Sequence, residues 1–313
     1  MSTAPVVLAH RGAFGRLPAA CDGLGVRRAI LVACDSVRAS AAGARQLLGP
    51  RCVGWFSHPV PHVPAREANL AVASAQEIHA DGVISVGGGS AVGYGKIIAL
   101  ALRLPLIAVP TSYAGSEMTD RYAVTTDRGK EAGTSERALP RLVIHDPEIT
   151  LDMPLGLTRS SGMTAVGHCL EALERCRDDR RAAAALRILW STLPELLRRP
   201  RDAHLRDQAL YAAGLAGSVQ QENGSGLLSL LAENLGGRYR VDHGALVGCL
   251  APLVIGHHQQ ALDEFVRRLG LPTTLAELGV DRHVAEAVAA LAGDSGQRNT
   301  VTDDDVRSVL MSA

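Results

Sequence analysis

Apolar residues along the 313-residue chain follow two periods, and the change from one to the other falls near residue 150. Before it, short runs rich in β-branched residues recur: "RAILVACDS" at 28–36, "DGVISVGGG" at 81–89, "LPLIAVPTS" at 104–112 and "RLVIHDP" at 141–147. Such runs read as strands. They are separated by helix-length segments such as "VPAREANLAVASAQEIHA", which is the spacing of parallel βαβ units. After "DPEITLDMP" the strand signals stop, and long amphipathic stretches follow over 159–177, 180–197, 205–220 and 226–235. The pattern predicts an α/β domain with a parallel sheet over residues 1–150 and an all-helical domain over 151–313. Two domains also suit the length, because a single core stops growing at roughly 250–300 residues. Pro154 is expected near a helix start, Gly236-Gly237 as a helix stop, and residues 292–303 as an exposed loop before a last short helix.

Composition narrows the class of partner. Lysine plus arginine equals aspartate plus glutamate at 32 each, so no basic field attracts nucleic acid or anionic lipid, and a small molecule or another protein is expected instead. Aromatic residues make up only 3%, which suits helix packing and close backbone approach more than an aromatic-rich β-sandwich. Cysteines 21, 34, 52, 169, 176 and 249 form no CxxC pair, so they read as reduced thiols of a cytoplasmic protein. The first residues carry no secretory pattern, and no run reaches 18 apolar residues, so a soluble, untargeted chain is expected.

Candidate chemistry begins at "VISVGGGSAVGYGKIIAL", where a buried strand runs into Gly87, Gly88, Gly89 and Ser90 and then a helix. Glycines allow close backbone approach, and the amides of the following helix N-terminus favour an anion such as a pyrophosphate. The match is to neither GxGxxG nor the Walker pattern, and the same glycines would also serve a plain tight turn. Upstream, Asp35 ends the run "AILVACDS", where a carboxylate could accept from an adenosine ribose and repel a 2′-phosphate, favouring NAD over NADP. It could equally cap the next helix.

Five motifs in order, "GGGSAVGYGKIIAL", "PTSYAGSEMT" (110–119), "LVIHDPEITLDMP", "SGMTAVGHCLEAL" (161–173) and "NLGGRYRVDHG", make the chain resemble the iron-containing (group III) alcohol dehydrogenase superfamily, nearest its maleylacetate reductase branch. The resemblance implies a dehydroquinate synthase-like fold: a dinucleotide-binding domain, a helical domain, and an active site between them. It implies that Gly88, Gly89, Ser90, Thr111, Ser112 and Lys130 contact the nucleotide. Iron-dependent members hold their metal with an aspartate, a histidine one turn later, and two further histidines. The positions that match are Thr164, His168, Ser229 and His243, and the catalytic-histidine position holds Glu233.

Two of four ligands are thus replaced by neutral hydroxyls, and the reading is a degenerate site that binds no metal. A two-histidine, one-carboxylate set of His168, His243 and Glu233 would be the one way to restore an Fe(II) site. Otherwise Glu233 and His243 are expected to move the proton that accompanies hydride transfer, with His168 beside them. Outside the family context, His168 is an ordinary core histidine and Glu233 an exposed helical residue. His257 and His258 are neighbours that cannot share a helix face. Arg121, Lys130 and Arg159 could pair with substrate carboxylates or stand as solvated charges.

The resulting expectation is an NAD-dependent, metal-independent oxidoreductase acting on a hydroxy or oxo acid, as a homodimer. The substrate is either a maleylacetate-like dicarboxylate or the C-terminal threonine of a ribosomal peptide, since dehydrogenases of daptide biosynthesis resemble the superfamily. In the second case a partner protein is possible. The competing expectation is a catalytically silent scaffold that binds NAD or a protein.

Overall fold

The computed structural model describes residues 4–255 and 258–281, apart from the Asp35 side chain. Six parallel strands form one sheet in the order β1-β8-β5-β4-β2-β3. They are β1 (Val6–Ala9), β2 (Ala29–Val32), β3 (Cys52–Phe56), β4 (Gly82–Gly87), β5 (Leu106–Pro110) and β8 (Leu142–His145). The four strand runs read from the sequence are β2, β4, β5 and β8, which occupy the middle of the sheet. The runs that form β1 and β3 are short and sit at its edges, where burial leaves a weaker pattern.

Helices cover both faces. Side chains alternate across a strand, so Leu31, Ile84, Val86, Ile107 and Val109 pack with Leu17, Cys21, Ala44 and Leu48. These four come from α1 (Leu17–Gly23) and α2 (Arg38–Leu48). On the other face, Ile30, Val32, Val83 and Leu106 meet Ala68, Ala71, Ala75, Tyr94 and Ile98, from α3 (Ala65–Glu77) and α4 (Gly89–Leu102). The chain leaves β2 outward to β3 and returns to β4 on the other side of β2. This reversal is the switch point at which open α/β sheets bind ligands beyond the carboxyl ends of their strands.

A two-stranded antiparallel hairpin, β6 (Arg121–Thr126) with β7 (Gly129–Thr134), stands apart from the main sheet. The sequence reading missed it, because its residues are mostly polar and only half-buried. From Leu155 onward every described α-helix or strand is a helix: α5 (Leu155–Arg175), α6 (Arg180–Arg198), α7 (Ala203–Asn223), α8 (Leu227–Tyr239), α9 (His243–Val254) and α10 (Gln259–Leu269). Pro154 is the N-cap of α5, and Asp179, Asp202 and Asp242 cap α6, α7 and α9 through their side chains. The helices share one core that includes Met163, Val166, Leu189, Leu210, Leu231, Leu246 and Phe265. No described helix is long and apolar enough to cross a membrane.

One expectation is corrected. Gly236-Gly237 does not stop a helix: α8 continues to Tyr239 and ends at Arg240 in the left-handed region, φ 57°. The glycines serve packing instead, since a Cβ on Gly236 would lie 3.2 Å from the His62 ring and from the Val241 carbonyl. The expected loop at 292–303 and the short helix after it lie outside the described residues.

Candidate active site

A cleft of about 470 Å³ lies between the sheet's carboxyl edge, the hairpin and the helices. Helical spacing decides which side chains face it. On α4 the stripe is Gly89, Ser90, Gly93 and Lys96; on α5 it is Leu157, Ser160, Ser161, Thr164 and His168. These residues recur every three to four positions, the period of one helix face. The hairpin contributes Arg121, Tyr122 and Lys130, and the α8–α9 corner contributes Glu233, Arg240, Asp242 and His243.

At the sheet end, the backbone makes the wall. Gly87 sits at φ 152°, and a Cβ there would lie 2.7 Å from the Ala91 Cβ, so only glycine fits. A Cβ on Gly88, the N-cap of α4, would come within 3.0 Å of Ser112 Oγ. Gly88 caps α4 without a side-chain hydrogen bond, so first-turn amides stay open toward the cleft at Gly89 and Ser90. Ser116 Oγ, in the lining, and Thr111 Oγ1, just behind it, are buried without partners. Open amides, a glycine cradle and orphaned hydroxyls together fit a dinucleotide pyrophosphate. Of the residues expected to hold it, Gly89, Ser90, Ser112 and Lys130 line the cleft, while Gly87, Gly88 and Thr111 form the layer behind. Asp35 begins the short helical turn Asp35–Val37 just past β2; its side chain lies outside the described residues.

The helical wall is made by side chains. His168 is buried, and its Nδ1 has no hydrogen-bond partner. Burial pushes its pKa down to about 3, with the nearby His243 adding to the shift and Glu233 opposing it. His243, first residue of α9, is likewise pushed down to about 3 by burial and by Lys130 and His62, against an interaction with the Ala232 backbone. Both rings are therefore neutral near pH 7. α5 and α9 touch closely here: a Cβ on Gly244 would fall 1.8 Å from the Ser160 carbonyl oxygen.

The donor set does not fit the family's metal. The Thr164 hydroxyl donates to the Ser160 carbonyl at 3.3 Å. Ser229 is absent from the cleft lining: its amide donates to Glu171 Oε1 at 2.8 Å and its hydroxyl to Oε2 at 2.6 Å. Burial raises the Glu171 pKa, and the Ser229 hydrogen bonds pull it back. Glu233 lies 3.6 Å from Arg121 Nη2. Among the described residues no three His, Cys, Asp or Glu side chains converge as they would to hold an ion, and Glu233 is turned to Arg121.

Lys96, His62 and Arg240 are among the cleft residues that escaped the sequence reading. Lys96 is buried, and its Nζ donates to Thr119 Oγ1 at 2.9 Å and to the Arg121 carbonyl at 2.7 Å. Burial lowers its pKa to about 7, against the pull of Glu117 and Asp120. The signal was present, because Gly89, Gly93 and Lys96 recur at helical spacing after the glycine loop. His62, whose pKa is lowered chiefly by burial and then by Lys130, precedes α3 and gave no sequence signal. Arg159, in contrast, does not line the cleft and donates instead to the Leu155 and Gly270 carbonyls. His258 is exposed before α10, and His257 lies outside the described residues.

The sequence matches the family model for iron-containing alcohol dehydrogenase over residues 4–147 and the C-terminal model of that family over 158–261. It is 35% identical over 312 residues to a maleylacetate reductase of Burkholderia cepacia, covering 92% of this chain and 89% of that one. The crystal structure of maleylacetate reductase from Rhizobium sp. strain MTP-10005 superposes with a TM-score of 0.88 at 32% identity, covering 100% and 97% of the two chains. A putative alcohol dehydrogenase from Ralstonia eutropha JMP134 gives a TM-score of 0.92 at 30% identity, covering 100% and 96%. With both halves matched and the full length superposed, the chain belongs to the iron-containing alcohol dehydrogenase family and is an NAD(P)-dependent oxidoreductase.

Proposed function

We propose that the cleft moves hydride between NAD(H) and a small acid bearing a carbonyl or hydroxyl, with no metal taking part. The single observation that carries this reading is His168 Nδ1, a buried polar atom in the cleft wall left without a partner. Burial holds the ring neutral in the cleft wall, and a neutral imidazole can present a nitrogen to a substrate oxygen. When bound, the nicotinamide gives or takes the hydride. The chain's own groups do the rest.

Gly89 and Ser90 amides take the pyrophosphate. Lys130 and Arg240 face the cleft beside the α9 N-terminus without a carboxylate of their own among the described residues, and they hold the substrate carboxylate. His168, neutral at pH 7, hydrogen-bonds the reacting oxygen, as a neutral imidazole polarises a carbonyl without first losing a proton. His243 borders the same space, so proton exchange at that oxygen passes through it. The preference for NAD over NADP rests on the place of Asp35 past β2, at the switch point.

A maleylacetate-like dicarboxylate is the first substrate reading, on the strength of the relatives. A peptide ending in threonine, oxidised at its β-hydroxyl, is the second. It is favoured by Glu233, whose carboxylate opposes a second substrate carboxylate on that side. A cytoplasmic homodimer remains part of the proposal; the edge strand β1 leaves Val6 61% and Val7 38% exposed, which supports a pairing there. The test is reduced-nicotinamide absorbance with maleylacetate, 3-hydroxy acids and threonine-ended peptides. Turnover of any of these supports the reading; NAD binding without turnover of any of them favours a silent scaffold.

A further inference from the structure

Arg121 and Glu233 face each other across the cleft, one on the hairpin and one on α8. Their closest atoms are 3.6 Å apart, within ion-pair range but beyond a hydrogen bond. Both side chains are about four-fifths buried, with 18% and 20% exposure. Neither side chain hydrogen-bonds another protein group among the described residues, so the guanidinium and the carboxylate keep donor and acceptor capacity on the cleft.

Both groups are also held from behind. Lys96 donates to the Arg121 carbonyl, which anchors the first residue of β6. One helical turn before Glu233, the Ser229 amide and hydroxyl are fixed on Glu171. The backbone segments that carry the two groups are thus anchored, and both side chains line the cleft.

We propose that Arg121 and Glu233 form a recognition element for an amide, so that the substrate carries one carboxylate and one amide rather than two carboxylates. The inference rests on the carboxylate-binding oxidoreductase reading above. Charge decides among the candidates. A second carboxylate would meet Arg121 but be repelled by Glu233, and an ammonium would meet Glu233 but be repelled by Arg121. A neutral amide offers its oxygen to the guanidinium and its N–H to the carboxylate without repulsion from either. Lys130 and Arg240 remain for the single carboxylate.

Glutarate and its monoamide, glutaramate, have the same shape and differ in this one group. Calorimetric titration of the protein with NAD⁺ present is expected to show glutaramate bound about tenfold tighter than glutarate, the scale of one like-charge contact avoided. Glu233→Gln is expected to cut that preference about tenfold by relieving glutarate, and Arg121→Gln to weaken glutarate further. N-acetylthreonine separates two sources of the amide: tighter binding than glutaramate assigns the end of a peptide, weaker binding a small primary amide, and either supports the element. Glutarate bound as tightly as glutaramate, a preference unchanged in Glu233→Gln, or 5-hydroxypentanoate bound as well as glutaramate would overturn it. Tight glutarate with normal turnover would sink the amide element alone; failure of every acid to bind would remove the carboxylate cleft with it.

Discussion

The two walls of the cleft are built by opposite means. After β4 the wall is made by backbone: Gly87 and Gly88 keep space clear, and the amides that begin α4 lie at the cleft, where the proposed cofactor would meet them. Along α5 and α8 the wall is made by side chains, and there Thr164, Ser229 and Glu233 stand where the family resemblance places metal ligands and a catalytic histidine. A backbone cradle is fixed by the fold, so it survives as long as the glycines do. A constellation of side chains can be lost one residue at a time while the helices stay in place. The cofactor side of the chemistry is therefore readable from geometry, whereas the substrate side must be argued from each residue's present partners.

The largest effect is expected at the contact that joins the helices of the second wall. Gly244→Ala would drive a methyl group into the Ser160 carbonyl, and a loss of about 3 kcal/mol or more in denaturant stability, or no folded protein, should follow. Next comes His168→Gln, which removes the imidazole from the cleft wall while leaving the glycine loop untouched. Turnover should fall about 10²- to 10³-fold with NAD affinity retained, as steady-state kinetics beside cofactor titration would show. Gly89→Asp should do the reverse. A Cβ there meets nothing closer than 3.9 Å, so the thermal midpoint should hold, but a carboxylate at the α4 N-terminus should weaken NAD binding about tenfold or more.

Acid sensitivity separates the walls in another way. His168 and His243 are held down to about 3 in the folded chain, against an ordinary value of 6.5. Between these values the unfolded chain binds protons that the folded chain refuses, so stability is full above pH 6.5 and is lost as pH falls toward 3. Each ring should add a slope of about 1.4 kcal/mol per pH unit in that window. A double His168→Gln, His243→Gln variant should flatten the curve, and an unchanged slope would show that the rings are not buried as neutral groups. The smallest effect is expected for Ser229→Ala, which removes one hydroxyl donor from buried Glu171 but keeps the backbone donor. Chemical denaturation should report a loss of about 1–3 kcal/mol.

Much of the sheet was legible because central strands are buried on both faces and read as unbroken apolar runs, as in "AILV" and "GVISVG". The edges were not. β1 is mostly exposed, and the hairpin is polar along its length, so neither carries a core signal, although Asp127-Arg128-Gly129 marks a turn. Gly236-Gly237 misled for a related reason: glycine ends helices when it takes a left-handed conformation, but here it makes room for His62, which is far away in sequence. In the site, the motif positions His168, His243 and Glu233 line the cleft. They could not show that Ser229 turns to Glu171, or that Glu233 finds Arg121, because both pairings depend on how distant segments meet.

The central claim is that this cleft grips a dinucleotide and works on its substrate without an ion between His168 and His243. Its most direct test is turnover of reduced nicotinamide by protein stripped with a strong chelator, with metal content measured on the same sample by emission spectroscopy. The account predicts unchanged turnover at substoichiometric metal, and no gain when Fe(II) or Zn(II) is returned. Loss of turnover on stripping, restored by one equivalent of either ion, would contradict it.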